Sequence, residues 1–217
     1  MKGRVSYFRL LDLGAKLADR YAQDCRERPA LARMDWYASV NACVGLSYRS
    51  CGGSLMGWER ARARFLPALA ILSPETGWER LLDSFLSDTM HRHGPMFWDR
   101  PHVDLPTVLG YRANKAKALL VLNGEPWANV VRERSSPKVF AFASNLLGDE
   151  SCVTVDRHSA LIALGRPLLR KSDYWAAVAA HRIAAEMASR EGERVSPRDL
   201  QARTWVAHRE RKEVAAG

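Results

Sequence analysis

The chain has 217 residues, with 33 Lys and Arg against 24 Asp and Glu, so its formal net charge is +9. Hydrophobic residues make up 47% of the chain and include seven Trp, which excludes a disordered chain and suffices for a substantial core. The positive charge favours a polyanionic partner, either nucleic acid or an anionic membrane surface.

Helical periodicity runs through the chain and predicts an all-α fold, here one compact helical domain over residues 1–217. In chain order the predicted helices lie at Leu10–Tyr21, Trp36–Leu46, Trp58–Leu72, Thr76–Met90, Thr107–Leu122, Pro137–Leu147, Asp156–Leu164, Lys171–Ser189 and Pro197–Arg211. Pro67 should interrupt or kink the third of these, and His91–Pro106, rich in Pro and Gly, should form a loop.

No apolar run is long enough for a membrane span, since even Leu66–Leu72 is short and contains Pro67. The N-terminus leads into an amphipathic stretch and not into an apolar signal core, so we expect a cytoplasmic protein, in the host cytoplasm if the source is viral. The four cysteines lie far apart without Cys-x-x-Cys spacing, so we expect no metal and no cofactor.

Ser136-Pro137-Lys138 is the first local signal for chemistry. Ser at an N-cap followed by Pro at the first helical position predicts a helix start. Lys138 then lies in the first turn, where the exposed N–H groups disfavour a second positive charge. Such a lysine loses its proton more readily and can act as a nucleophile if it is partly buried. The alternative is a surface lysine that lies over Phe142.

Asp156 is the second signal, because it separates the apolar segment Val153–Val155 from a predicted helix. Aspartate is a preferred N-cap at such a position, where backbone N–H groups hold its carboxylate. A fixed carboxylate can stabilise a developing sugar cation or orient a nucleophile, although capping alone also explains the residue. The next residues, Arg157 and His158, add a cation and an imidazole that can orient Asp156 or simply line the helix.

Four short sequence blocks carry a further signal: Ile71–Thr76, Gly110–Lys117, Ser135–Lys138 and Val153–His158. They occur in the same order as in the helix-hairpin-helix DNA glycosylase superfamily, and the similar region covers about residues 58–170. They resemble, in order, that family's Leu-Ser-x-Gln-Thr segment, its Tyr-Arg-x-Lys-Ala helix, the start of its lysine-bearing helix and its Val-Asp-x-His segment. Lys138 and Asp156 are 18 positions apart, the spacing of the endonuclease-III-like branch.

The resemblance implies a two-lobed all-α glycosylase-like domain in which the N- and C-terminal helices complete the second lobe. The target nucleotide would leave the duplex and enter a pocket between the lobes. Asp156 would support charge developing on the sugar, and Lys138 would attack the anomeric carbon and displace the base through a Schiff base. The implied partner is duplex DNA, bound by a monomer. The implied substrate- and DNA-binding residues are Ser73, Glu75, Thr76, Arg112, Lys115, Lys117, Ser135, Ser136, Arg157 and His158.

Three departures from the family pattern keep other functions open. Arg134-Ser135-Ser136 replaces the usual Gly-x-Gly turn, the iron–sulfur cysteines are missing, and Glu75 stands where glutamine is usual. A second set of motifs, Leu-Ser-Pro-x-Thr, Pro-Lys-Val, Asn145-Leu146 and Val-Thr-Val-Asp-Arg-His, resembles a divergent branch associated with bacteriophage DNA hypermodification. Its members are thought to join an amine or amino acid to an activated, pyrophosphorylated thymine. A non-catalytic DNA-binding module is the third hypothesis.

Three further groups have weaker claims to function. The histidines at 91, 93 and 102 suggest a loop more than a metal site. Phe97 and Trp98 either hold that loop to the core or stack on a flipped base. The last predicted helix, with Trp205 and His208, is a packed cap with a basic solvated face that could also contact DNA.

Overall fold

The computed structural model describes residues 6–74, 78–86, 112–168, 170–190 and 194–216. These ranges contain eleven helices and no strand, which confirms the predicted all-α fold class. In chain order the helices are α1 (Tyr7–Glu27), α2 (Pro29–Ala32), α3 (Trp36–Ser50), α4 (Leu55–Leu72), α5 (Trp78–Ser84), α6 (Arg112–Leu122), α7 (Trp127–Val130), α8 (Pro137–Leu146), α9 (Arg157–Leu164), α10 (Lys171–Arg190) and α11 (Pro197–Ala216).

The chain divides into two units, and unit 1 combines both ends of the sequence, Met1–Trp36 and Asp149–Gly217. Its core is built from buried side chains of α1, α9, α10, α11 and the segment that precedes α9. They include Leu17, Tyr21, Val153, Val155, Ala160, Tyr174, Ala177, Ala184 and Leu200. Helix α10 supplies mostly alanine to this core, so the backbone of α1 can approach it closely.

Ion pairs tie the two chain segments of unit 1 together. Arg198 on α11 is only 5% exposed, and its guanidinium lies 3.2 Å from Asp35 in the first segment and 3.1 Å from the neighbouring Asp199. Arg211, also on α11, donates to both carboxylate oxygens of Asp24 on α1. Because Asp24 is buried, its charge would be costly at this position without the guanidinium partner.

Gly14 marks the closest approach of α1 to α10. A Cβ at this position would overlap Cγ2 of Ile183 and lie 2.8 Å from its Cβ. Alanine normally stabilises a helix interior by about 1 kcal/mol relative to glycine, but overpacking costs about 1–3 kcal/mol. We therefore expect Gly14→Ala to destabilise the protein in chemical denaturation. In the Ile183→Ala background, Gly14→Ala should become neutral or stabilising, because the overlapping side chain is gone. An equal loss of unfolding free energy in both backgrounds would show that Ile183 is not the cause.

Unit 2 comprises Tyr37–Gly148 and is organised around α4, which packs on α6 and α8. Ser54 caps this helix by accepting from the N–H of Gly57 at 3.0 Å, and every residue from Phe65 to Leu72 is buried. The helix continues through Pro67, so the predicted interruption is wrong. Losing the Pro67 N–H and clashing with the preceding turn costs about 3 kcal/mol, which burial of the flanking side chains offsets.

Most helix bounds match the sequence prediction within a few residues, and the short helices α2 and α7 were not predicted. The final helix extends to Ala216, beyond the predicted end at Arg211. The predicted loop at His91–Pro106, with Phe97 and Trp98, lies outside the described residues. Within the described ranges, no helix combines the length and apolar character needed to cross a bilayer.

Candidate functional site

Asp156 lies in unit 1, at the junction predicted from the sequence. The preceding Val153 and Val155 are buried, and the carboxylate caps α9. One carboxylate oxygen accepts from the N–H of Ser159 at 2.7 Å, and the other accepts from the indole Nε1–H of Trp205 at 3.0 Å. The predicted N-cap is therefore confirmed, and the carboxylate is held at both oxygens.

Helix α11 supports this carboxylate from a second side. Its Trp205 packs edge-on against Trp36 at a centroid distance of 6.0 Å, and the guanidinium of Arg209 lies 5.1 Å from the Trp205 ring centre. Gln201, one turn earlier, donates to the buried hydroxyl of Ser159 at 3.0 Å. The sequence predicts that Trp205 lies on a packed cap but gives no sign of its bond to Asp156.

The imidazole of His158 contacts α11 rather than the Asp156 carboxylate. Its ring centre lies 5.6 Å from that of His208, and its Nε2 accepts from Nε of Arg157 at 3.3 Å. Burial lowers the pKa of His158, as do the charges of Arg157, Lys212 and Arg209, while Asp156 opposes them. The imidazole is therefore neutral near pH 7.

His181 on α10 is the most enclosed titratable group of unit 1. It is fully buried, and its Nδ1 lies 2.8 Å from the carbonyl oxygen of Ala177, which assigns the proton to Nδ1. The Nε2 atoms of His181 and His208 are both enclosed and have no hydrogen-bond partner among the described residues. Burial lowers the pKa of His181 to about 4, against smaller opposing effects from the Ala177 carbonyl and the Asp156 charge.

This buried histidine predicts a loss of stability in mild acid. The unfolded chain takes up the His181 proton near pH 6.5, whereas the folded protein resists it until about pH 4. Because the unfolded state binds more protons in that window, the free energy of unfolding should fall by about 3 kcal/mol from this residue as the pH drops through it. Urea denaturation of wild type and His181→Gln between pH 7 and 4 tests this, since glutamine does not titrate. Parallel pH profiles for the two proteins would contradict the assignment.

Lys138 lies in unit 2, in the first turn of α8, and is partly buried. Ser136 occupies the predicted N-cap position and Pro137 the first helical position. The expected side-chain cap is wrong, however, because the Ser136 hydroxyl makes no capping bond at its observed backbone angles. No described side chain therefore covers the N–H groups at the start of α8, which leaves them available to an anion.

A short hairpin leads into the lysine-bearing helix. Helix α7 ends at Val130, and the N–H groups of Ser135 and Ser136 both donate to the carbonyl of Arg132, at 3.1 and 2.9 Å. The hydroxyl of Ser135 donates to the same carbonyl at 3.2 Å. Stacking of Trp127 on Phe140, with centroids 5.0 Å apart, packs α7 against α8. The turn is thus closed by serine and needs no glycine.

The other predicted DNA-binding residues of unit 2 lie on separate elements. Ser73 ends α4, and its hydroxyl donates to the carbonyl of Ala70 at 2.8 Å. On α6, Arg112 and Lys117 are exposed and Lys115 is half-buried. The predicted contacts Glu75 and Thr76 lie outside the described residues.

No disulfide joins the four cysteines, and the described residues contain no group of three or more His, Cys, Asp or Glu side chains that could hold a metal ion.

The model of a family of unknown function, DUF7178, matches residues 34–212, which is most of the chain and includes both Lys138 and Asp156. No curated protein and no solved structure matches the chain.

Proposed function

Since this chain belongs to DUF7178, a family of unknown function, we propose its function from its own residues: it binds duplex DNA and acts on a base rotated out of the helix, in the manner of the helix-hairpin-helix DNA glycosylases. It would do so as a cytoplasmic monomer. Lys138 and Asp156 carry the chemistry.

The observation that carries the proposal is the fixation of Asp156. A carboxylate held by the Ser159 N–H and the Trp205 indole is poorly suited to swing toward a proton, but it presents a negative charge at a constant position. Such a charge stabilises the cation that develops on a deoxyribose ring as the bond to its base breaks.

In this mechanism the neutral amine of Lys138 forms a bond to the anomeric carbon of the sugar. The bond from that carbon to the base breaks, and its electron pair leaves with the base, which takes up a proton. Opening of the sugar ring then gives a protonated Schiff base on Lys138, and water releases the product. The position of Lys138 supports this role, because it is partly buried in the first turn of α8, beside backbone N–H groups that can bind a phosphate.

DNA binding would use the hairpin and the basic residues of unit 2. The uncapped start of α8 offers N–H groups to a phosphate, and Arg132 and Arg134 are exposed in the turn before it. Arg112, Lys115 and Lys117 would add phosphate contacts of the salt-sensitive, sequence-independent kind. Ser73, Ser135, Arg157 and His158 complete the proposed set.

Borohydride trapping tests this proposal. Duplexes with an abasic site or with assorted damaged and modified bases are incubated with the full chain and reductant, and covalent adducts are resolved by electrophoresis. We expect an adduct with the wild type and with Lys171→Ala, a control lysine that also starts a helix, and none with Lys138→Ala. The proposal would be contradicted if the adduct still formed with Lys138→Ala. It would also be contradicted if the protein bound every duplex but left the DNA intact, and that result would favour a non-catalytic DNA-binding module.

A second candidate is the hypermodification transferase, which joins an amine or amino acid to an activated thymine. The cations Arg157, Arg209 and Lys212 around His158 favour it, because they suit a phosphorylated leaving group beside Asp156. Mass spectrometry of nucleosides after incubation with pyrophosphorylated hydroxymethyl DNA and amines distinguishes the two. A new amine adduct on thymine supports the transferase, whereas free base supports the glycosylase.

A further inference from the structure

Unit 1 contains an open groove of about 710 Å³ between α1 and α11. Its charged lining residues are Lys16, Asp19, Arg20, Asp24, Arg26 and Arg211. Cations therefore outnumber carboxylates along the groove. The groove belongs to neither the hairpin nor the Asp156 cap, and the proposed function gives it no role.

The Asp24 carboxylate of this groove is already paired with Arg211. Asp24 is 2% exposed, and both of its oxygens accept from Arg211. Arg20, one turn earlier on α1, has its pKa lowered first by burial and then by the charge of Arg211, with Asp24 only partly opposing this. The lining carries four cations against two carboxylates, Asp19 and Asp24, and the charge of Glu27 also acts on Arg211.

Positive charges also act on two histidines, His158 on α9 and His208 on α11. Burial lowers the pKa of His208, and so do the positive charges of Lys212, Arg20 and Arg211 and its neighbour His158. At His158 the charge of Asp156 opposes such effects. The charged groups around the two imidazoles therefore come from α1 (Arg20), from the start of α9 (Asp156 and Arg157) and from α11 (Arg209, Arg211 and Lys212).

We propose that this groove is an anion site that takes a phosphate group, held chiefly by Arg20 and Arg211. Guanidinium groups bind phosphate through paired, charge-assisted hydrogen bonds, and a dianion would relieve the repulsion between Arg20 and Arg211. The phosphate belongs either to a DNA backbone or to a small phosphate compound. The site does not depend on the Lys138 chemistry.

Titration of the full chain separates these sources. Wild type, Arg20→Gln and the control Arg9→Ala, which removes an exposed arginine from the same helix, are titrated with inorganic phosphate by calorimetry. The same proteins are titrated with a fluorescent DNA duplex at several salt concentrations. Circular dichroism melting checks that each variant is folded.

We expect Arg20→Gln to weaken binding about tenfold, the loss typical of one charge-assisted contact, and Arg9→Ala to have little effect. If the phosphate is that of DNA, Arg20→Gln also reduces the slope of the logarithm of the duplex binding constant against the logarithm of the salt concentration. The reduction should correspond to about one phosphate contact. If it is a small compound, inorganic phosphate binding falls and duplex binding is unchanged.

The imidazole of His208 gives a readout that a merely structural role of Arg20 would not move. Bound phosphate should raise the pKa of His208, followed by NMR, in wild type and in Arg9→Ala but not in Arg20→Gln. Equal binding of phosphate and DNA by all three proteins, together with a His208 pKa that phosphate leaves unmoved, would overturn the proposal. Either result is independent of borohydride trapping, so failure of this site and failure of the Lys138 mechanism are distinguishable.

Discussion

Replacing Asp156 with asparagine should reduce base removal about 10²–10³-fold while the fold persists, because it deletes the negative charge and keeps the shape of the cap. The asparagine oxygen can still accept from the Ser159 N–H, as aspartate does at 2.7 Å. Its amide nitrogen would then face the indole N–H of Trp205, which costs about one hydrogen bond of stability. Single-turnover base release, on the substrate that forms the borohydride adduct, measures the effect.

Two companion variants separate charge from position. Asp156→Ala loses both the cap and the charge, so we expect a stability loss of about 1–3 kcal/mol in addition to lost activity. Trp205→Phe keeps an aromatic ring against Trp36 but frees one carboxylate oxygen. It should therefore reduce activity less than Asp156→Asn. Full activity in Asp156→Asn would make Asp156 a helix cap only and remove the main support for the proposed chemistry.

Phe65→Ala should cost about 3–5 kcal/mol of unfolding free energy, the largest stability effect that we expect in unit 2. Phe65 is 2% exposed on α4, with its ring centre 5.9 Å from that of Phe85 and 6.2 Å from that of Tyr48. Truncation leaves a cavity where these edge-to-face contacts were, and the surrounding helices refill it only partly. Such a loss is a large fraction of the stability of an ordinary domain.

Phe8 provides the matched control, because it is 82% exposed on α1. Phe8→Ala should change stability by no more than about 0.5 kcal/mol in the same urea titration. Hydrogen exchange read by mass spectrometry should show faster exchange in α4 for Phe65→Ala than for wild type. Similar costs for the two substitutions would show that the packing around α4 is not the core of this unit.

The sequence predicted those parts of the fold that depend on local chemistry. Periodic apolar side chains located the long helices, and an aspartate after Val153–Val155 located the start of α9 together with its cap. The same reasoning failed at Ser136, where residue type is right for a cap but the backbone angles do not direct the hydroxyl to the helix start. It also failed at Pro67, because burial on every side outweighs the intrinsic preference of proline.

Contacts between residues far apart in the chain were beyond such reasoning. The bond from Trp205 to Asp156 spans 49 positions, and the bond from Arg198 to Asp35 spans 163. His181 lies seven positions after the buried Tyr174 and three after the buried Val178, so its spacing indicates the core face of α10. Its lowered pKa, however, depends on burial by the helices packed around it. The convergence of Lys138 and Asp156 on one base stays a prediction, which the trapping and activity experiments test.

The division of unit 1 between the two ends of the sequence has a consequence for how the protein is made. Helix α1 emerges from the ribosome first, yet its main packing partner, α10, lies more than a hundred residues later. The intervening segment, which forms unit 2, is complete before α9, α10 and α11 have been translated. Unit 2 can therefore fold during synthesis, whereas α1 is translated earlier but can pack only after α9, α10 and α11 have been made. During that delay the apolar stripe of α1 is the part of the nascent chain most exposed to chaperones and to misassociation.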